Sequence, residues 1–219
     1  NRTNYGSILS SIAGKSVTTM YQTFANCTAL TTAPAIPSTI QNMYYTFSGC
    51  KALKTVNGLP SVTSLIGTFY GCSALTTAPT IPSAVTNLTS TFENSGLTKM
   101  PTIPSSVTNM TKTFMGCTKL TTAIALPNSL TNMSYIFSGC TALSSVPAIP
   151  SNVTNISYAF QNCTSLKSVS IPSGVTSIGG YAFYFCDSLT SVIIPDSVTS
   201  IGNGAFENCS SLTSVVIPD

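Results

Sequence analysis

Phenylalanine recurs along this chain with a spacing that few folds permit. Phe24, Phe47, Phe69, Phe92, Phe114, Phe137, Phe160, Phe183 and Phe206 follow one another at intervals of 23, 22, 23, 22, 23, 23, 23 and 23 residues. A period of this length marks a repeated supersecondary unit that cannot bury its apolar face alone and must stack on its neighbours. The chain is therefore expected to be one elongated, mainly β repeat solenoid of about nine 22–23-residue coils.

Each coil reads F-x-x-C-x-x-L, then a Thr/Ser-rich stretch, an apolar-Pro pair, and V-T-x-(I/M) leading to the next Phe. The stretch Leu189–x–x–Val192–x–Ile194 fits a short strand with alternating apolar residues on one face. The following Pro cannot donate to a ladder and ends it. V-T-x-I adds a second short strand on another side. Apolar residues three apart in F-x-x-C-x-x-L predict a short helical or 3₁₀ turn with Phe, Cys and Leu inward. In the earlier coils Leu lies six residues before the apolar-Pro residue (Leu30 to Ile36, Leu75 to Ile81, Leu143 to Ile149), and from Leu166 onward five (Leu166 to Ile171, Leu189 to Ile194). The extra residue, often beside Ala-Pro as at Ala33-Pro34 and Ala78-Pro79, predicts a bulge in the earlier strands. Residues 1–20, including Ile8-Leu9 and Ile12-Ala13, are expected to form a degenerate coil or N-terminal cap. Residues 21–219 form the solenoid, with a change of coil subtype near 165–180. The chain begins at Asn1 and stops at Ile217-Pro218-Asp219 in mid-repeat, which suggests a fragment of a longer protein.

Only 6% of residues are charged, against roughly 25% in an average globular protein, so Ser, Thr and Asn supply the polar surface. Eight basic and five acidic residues are too sparse for the stripe that nucleic-acid binding requires. No apolar run approaches the ~20 residues of a membrane helix, so no membrane insertion is expected. The chain has no His, which removes Ser-His-Asp, Cys-His and most zinc arrangements. The few carboxylates, Asp187, Asp196 and Glu207 among them, fall at different places in the coil. No catalytic residue, metal site or cofactor is expected, and the chain reads as a non-enzyme.

The runs Val175-Thr176-Ser177-Ile178-Gly179 and Val198-Thr199-Ser200-Ile201-Gly202-Asn203-Gly204-Ala205-Phe206-Glu207-Asn208-Cys209 resemble the V-T-S-I-G-x-x-A-F-x-x-C signature of BspA-like leucine-rich repeats. The resemblance covers residues 20–219 and is strongest in the last two coils; the earlier coils replace the Gly with T-N-M-x-x-(T/I)-F. It implies a secreted or cell-surface protein, bacterial in the first instance, that adheres to a protein or glycan of another cell or of host matrix. It carries over no catalytic residues. The expected state is a monomer.

Three sets of side chains are candidates for function or architecture. Tyr45, Tyr135, Tyr158 and Tyr181 stand two residues before Phe, the last three in consecutive coils, with Tyr184 nearby. They form a candidate strip for sugar rings or a protein partner; the alternative is packing along a solenoid edge. Cys27, Cys50, Cys72, Cys117, Cys140, Cys163, Cys186 and Cys209 occupy one place per coil. Neighbours in such a column lie ~4.8 Å apart with parallel side chains, poorly oriented for a disulfide, so a structural column of free thiols is expected. Thr and Ser follow Leu at two successive places, as in Thr76-Thr77 and Thr121-Thr122. A β-favouring polar cover explains them; a flat ice-binding array is a further reading, against which the intruding lysines and serines count. Sequons such as Asn87-Leu88-Thr89, Asn109-Met110-Thr111 and Asn155-Ile156-Ser157 matter only where the source glycosylates. A passive spacer for a surface protein is the alternative to adhesion.

Overall fold

The computed structural model describes residues 11–12 and 15–216. Nine stacked turns place Phe24 to Phe206 in one column. Successive rings stack at centroid distances of 5.2 to 6.1 Å, in all eight steps. In the coils up to Phe137, Met or Leu four before Phe lines the core beside it, with the Cys three after Phe in nearly every coil, the Leu that follows and the Val or Ile of the V-T-x segment, as with Met43, Phe47, Cys50, Leu53 and Val62, all buried.

The F-x-x-C-x-x-L segment is a run of turns instead of a helical or 3₁₀ stretch. Alternate amides close i→i−3 bonds within the coil: Thr46 to Met43, Ser48 to Tyr45 and Cys50 to Phe47, each 3.1 Å. The amides between them leave the coil, Phe47 to Thr68 at 2.9 Å and Gly49 to Tyr70 at 2.7 Å. Helix propagation would need both sets inside the coil. Residues two before and two after Phe take left-handed φ, as Tyr45 at 53° and Gly49 at 71°, and these turn every second N–H toward the next coil.

Strands are regular only late in the chain. Strand β3 (Ser168–Ser170), β5 (Ser191–Ile193) and β7 (Ser214–Val216) form a parallel sheet in the order β3-β5-β7. On another side β4 (Ser177–Ile178) pairs in parallel with β6 (Ser200–Ile201). In register, Ser168 faces Ser191 and Ser191 faces Ser214. Earlier coils hold only single parallel bridges at the equivalent place, Thr32 to Thr55, Lys99 to Thr122 and Thr122 to Ser145. The bulged strand expected beside Ala-Pro is absent there. Four residues after the coil's Leu, where β3, β5 and β7 have Ser170, Ile193 and Val216, four early coils have Pro34, Pro79, Pro101 and Pro147. Proline has no N–H to give to the preceding coil, so at Pro147 pairing stops after the Thr122–Ser145 bridge.

The two short intervals have distinct accommodations. In the coil of Phe92, Ser95 takes the Cys place, and the missing residue brings Gly96 against the Ser73 carbonyl, where a Cβ would collide. In the coil of Phe47 the missing residue falls at Pro60-Ser61-Val62, and open depressions of about 650 and 330 Å³ flank the Val56–Pro60 segment just before it. At the start of the chain, β1 (Ser11–Ile12) and β2 (Lys15–Ser16) pair antiparallel. The remainder of the segment read as a cap, residues 1–10 and 13–14, lies outside the described residues.

Candidate binding surface

The place two residues before Phe is left-handed in every coil. It holds Gln22, Tyr45, Gly67, Ser90, Lys112, Tyr135, Tyr158, Tyr181 and Gly204, with φ between 52° and 61°. Coil-to-coil bonds from Tyr135 N to Ser157 O (3.2 Å), Tyr158 N to Gly180 O (3.1 Å) and Tyr181 N to Asn203 O (2.9 Å) hold these residues one coil apart. Their rings then stack: Tyr135 on Tyr158 at 4.4 Å and 7°, Tyr158 on Tyr181 at 5.3 Å and 25°. Tyr184 meets Tyr181 edge-on at 5.3 Å. Lys112 Nζ sits 5.4 Å from the Tyr135 centroid and caps the other end of the stack, a cation–π contact. Tyr45 stands apart from this group, its ring lying over Gly67, where a Cβ would collide with it.

Parallel stacking uses up ring faces. What the three stacked tyrosines turn outward is edges and hydroxyls, and Asn203 Nδ2 already donates to the Tyr181 hydroxyl at 2.9 Å. Burial first, and then the neighbouring Tyr158, raise the Tyr135 phenol above its ordinary pKa. The run ends on Phe185, which meets Tyr184 edge-on at 4.5 Å and is 38% exposed. Sequence reasoning passed over Phe185. The available signal was its place two after Phe, where the other eight coils carry Asn26, Gly49, Gly71, Asn94, Gly116, Gly139, Asn162 and Asn208. All nine positions are left-handed, Phe185 with φ 56°.

The cysteine place faces the core. Cys50, Cys72, Cys117, Cys140, Cys163 and Cys186 are buried, Cys209 is half-buried and Cys27, in the first coil of the column, is exposed. All eight are free thiols. From Cys50 onward each Sγ donates to the carbonyl of the preceding coil's Phe at 3.0–3.1 Å. Burial pushes the thiols of Cys50 and Cys117 up to about 11 and those of Cys72 and Cys163 to about 12. Thiols held protonated at neutral pH are poor nucleophiles and poor ligands. A second interior column went unread in the sequence although Thr recurs immediately before Phe. Buried Thr46, Thr68, Thr91 and Thr113 donate to the carbonyls of Met20, Met43, Leu65 and Leu88 one coil back, at 2.8–2.9 Å. Each hydroxyl is thereby satisfied inside the core.

Comparison with known proteins follows the same periodicity. The BspA type leucine rich repeat region family matches in six copies, over residues 5–121, 44–157 and 133–219. The chain belongs to this family. A leucine-rich repeat protein of Bacteroides ovatus shares the fold at 24% identity and a TM-score of 0.55, covering 93% of this chain and 71% of that one. A leucine-rich repeat protein of Eubacterium ventriosum is 31% identical with a TM-score of 0.51; the match covers 94% of this chain and 46% of that one. No curated protein matches the chain.

BspA-type repeats in this chain turn both Thr/Ser columns outward. The first column's hydroxyls run along the stack: Thr98, Thr121, Thr190 and Thr213 donate to the carbonyls of Thr76, Thr98, Lys167 and Thr190 at 3.2–3.4 Å. Among the described residues no three His, Cys, Asp or Glu side chains converge as a metal site. No helix of the described residues is long and apolar enough to cross a membrane.

Proposed function

We propose that this BspA-type solenoid is a non-catalytic, extracellular or cell-surface binding module of bacterial origin that recognises a protein of another cell or host matrix through the aromatic run from Tyr135 to Phe185. The observation that carries this reading is the alignment of Tyr135, Tyr158, Tyr181 and Tyr184 on one edge of consecutive coils. Tyrosines combine large contact area with a polar tip and are enriched at the energetic centres of protein interfaces. A protein partner is favoured over a glycan because sugar stacking takes a free ring face, and these faces are largely occupied by one another.

A panel of immobilised matrix proteins and an oligosaccharide array test the reading. The comparison is between the native chain and a Tyr135→Ser, Tyr158→Ser, Tyr181→Ser variant, Ser being the residue Ser90 already supplies at this left-handed place. Saturable binding to one matrix protein, weakened at least about tenfold in the variant, is expected. Binding that survives the triple change removes the strip from the site, and binding to no protein or glycan makes the chain a spacer.

A further inference from the structure

The aromatic run ends in a corner whose chemistry differs from that of the stack. Phe185 is an apolar ring with no polar group to satisfy, more than a third exposed, on a backbone conformation that a bulky L-residue rarely adopts. Eight coils solve the same turn with Asn or Gly. Strain of this kind persists where surrounding structure enforces it and clusters at ligand contacts.

A carboxylate stands beside the corner. Phe185 N donates to the Glu207 carbonyl at 3.0 Å, so Glu207 is its neighbour in the next coil. Glu207 Oε2 and Tyr181 Cε1 lie 2.9 and 2.7 Å from one point, the place a Cβ on Gly204 would take, so the carboxylate and the Tyr181 ring flank Gly204 together. Asp187 adds a second negative charge two residues after Phe185. Neither acid has a cationic partner among the described residues, although the chain as a whole carries a net charge of +3. The opposite end of the same stack already holds a cation, Lys112 over Tyr135.

We infer that the corner formed by Tyr184, Phe185 and Glu207 receives a cationic side chain, arginine before lysine, from a protein partner. A guanidinium is planar and weakly hydrated; it lies on an aromatic face while its N–H groups meet a carboxylate. An ammonium supplies the charge without the flat surface. The inference rests on the reading of the aromatic run as a protein-binding edge and adds the charge and residue type of what docks there.

The experiment is a fluorescence-anisotropy titration of the full chain with a dye-labelled (Arg-Gly)₄ peptide at low salt. It is run beside (Lys-Gly)₄, (Glu-Gly)₄ and a neutral chitotetraose competitor. Expected are saturable binding of the arginine peptide, weaker binding of the lysine peptide and none of the glutamate peptide. Phe185→Asn, which restores the residue of the neighbouring coils, lowers affinity about tenfold while raising Tm by about 2–4 °C through relief of the left-handed strain. Glu207→Gln lowers affinity about threefold and reduces its dependence on salt. Equal affinity of the native chain and both variants overturns the inference. So does displacement by chitotetraose, which makes the corner a glycan site. A Tyr135→Ser, Tyr158→Ser variant retains the corner, so peptide binding in that background separates failure of the corner from failure of the longer strip.

Discussion

Coils up to Phe137 and coils from Phe160 onward share one period and one set of core columns, yet they join to their neighbours differently. In the late coils the backbone does it, through β3, β5 and β7 on one side and β4 and β6 on another. In the early coils the strand sides hold only single bridges, and buried side chains add to the coil-to-coil backbone bonds of the Phe turns. Thr46, Thr68, Thr91 and Thr113 reach back one coil from inside the core. Asn42, Asn87, Asn109 and Asn132 accept the amide two residues on, at 2.8–3.0 Å, and fix the turn that starts the next segment. Late coils replace the buried Thr by Ala159, Ala182 and Ala205. Stacking thus depends on satisfying the polar groups between coils, by ladder on the late strand sides and by buried hydroxyls beside Phe in the early coils.

Alkaline pH is the strongest way to test what the two regions share. The thiol column runs through both, and the folded-state pKa values are raised above the ordinary 9.0 by burial. Below pH 9 both states hold these protons and the column's contribution is fully present. Above it the unfolded chain releases protons that the folded chain retains, so stability falls as pH rises from 9 toward 11–12. A thiol as enclosed as Cys163 contributes a slope of roughly 1.4 kcal/mol per pH unit. Thermal melts between pH 8 and 11 should show a steep loss of Tm in which early and late coils unfold together; a flat profile contradicts the buried column.

Ile193→Pro carries the early coils' proline into the central late strand. It removes a ladder donor from β5, which pairs on both sides, and the expected destabilisation is about 2–3 kcal/mol. Denaturant unfolding measures it, and amide exchange should lose protection at residues 191–194 and 214–216. A neutral outcome shows that the late ladder contributes little.

Thr113→Val is the smallest and most local change. Shape is kept, the hydroxyl is lost, and the Leu88 and Met110 carbonyls each lose that donor while keeping a backbone one, Thr91 N and Thr113 N, both at 3.0 Å. A cost of about 1 kcal/mol is expected from the same unfolding experiment. Ile136 fills this place apolar in the very next coil, so a cost near zero would mean the early core tolerates either solution and the Thr column is not a stacking device.

Much of this was legible beforehand. Phe every 22–23 residues and Cys three after it report the inward positions directly, because every coil must present the same groups to its neighbours. The tyrosines two before Phe were visible as a strip for the same reason. The segment around them was misread as helical because apolar residues three apart look alike in a helix and in chained turns; the difference lies in where alternate N–H groups go. The Ala-Pro coils were read as bulged strands because the pattern of side chains says nothing about a missing donor until a partner coil is in place.

Period, coil number, core columns and the family signature were determined by the sequence alone, since each is a one-dimensional repetition enforced by stacking. The left-handed backbone around Phe, the closing of tyrosine faces against one another, and the strained, exposed ring of Phe185 beside Glu207 were decided only by the tertiary structure. They arise from hydrogen bonds and ring contacts between residues 22–23 apart, whose geometry depends on how one coil sits on the next.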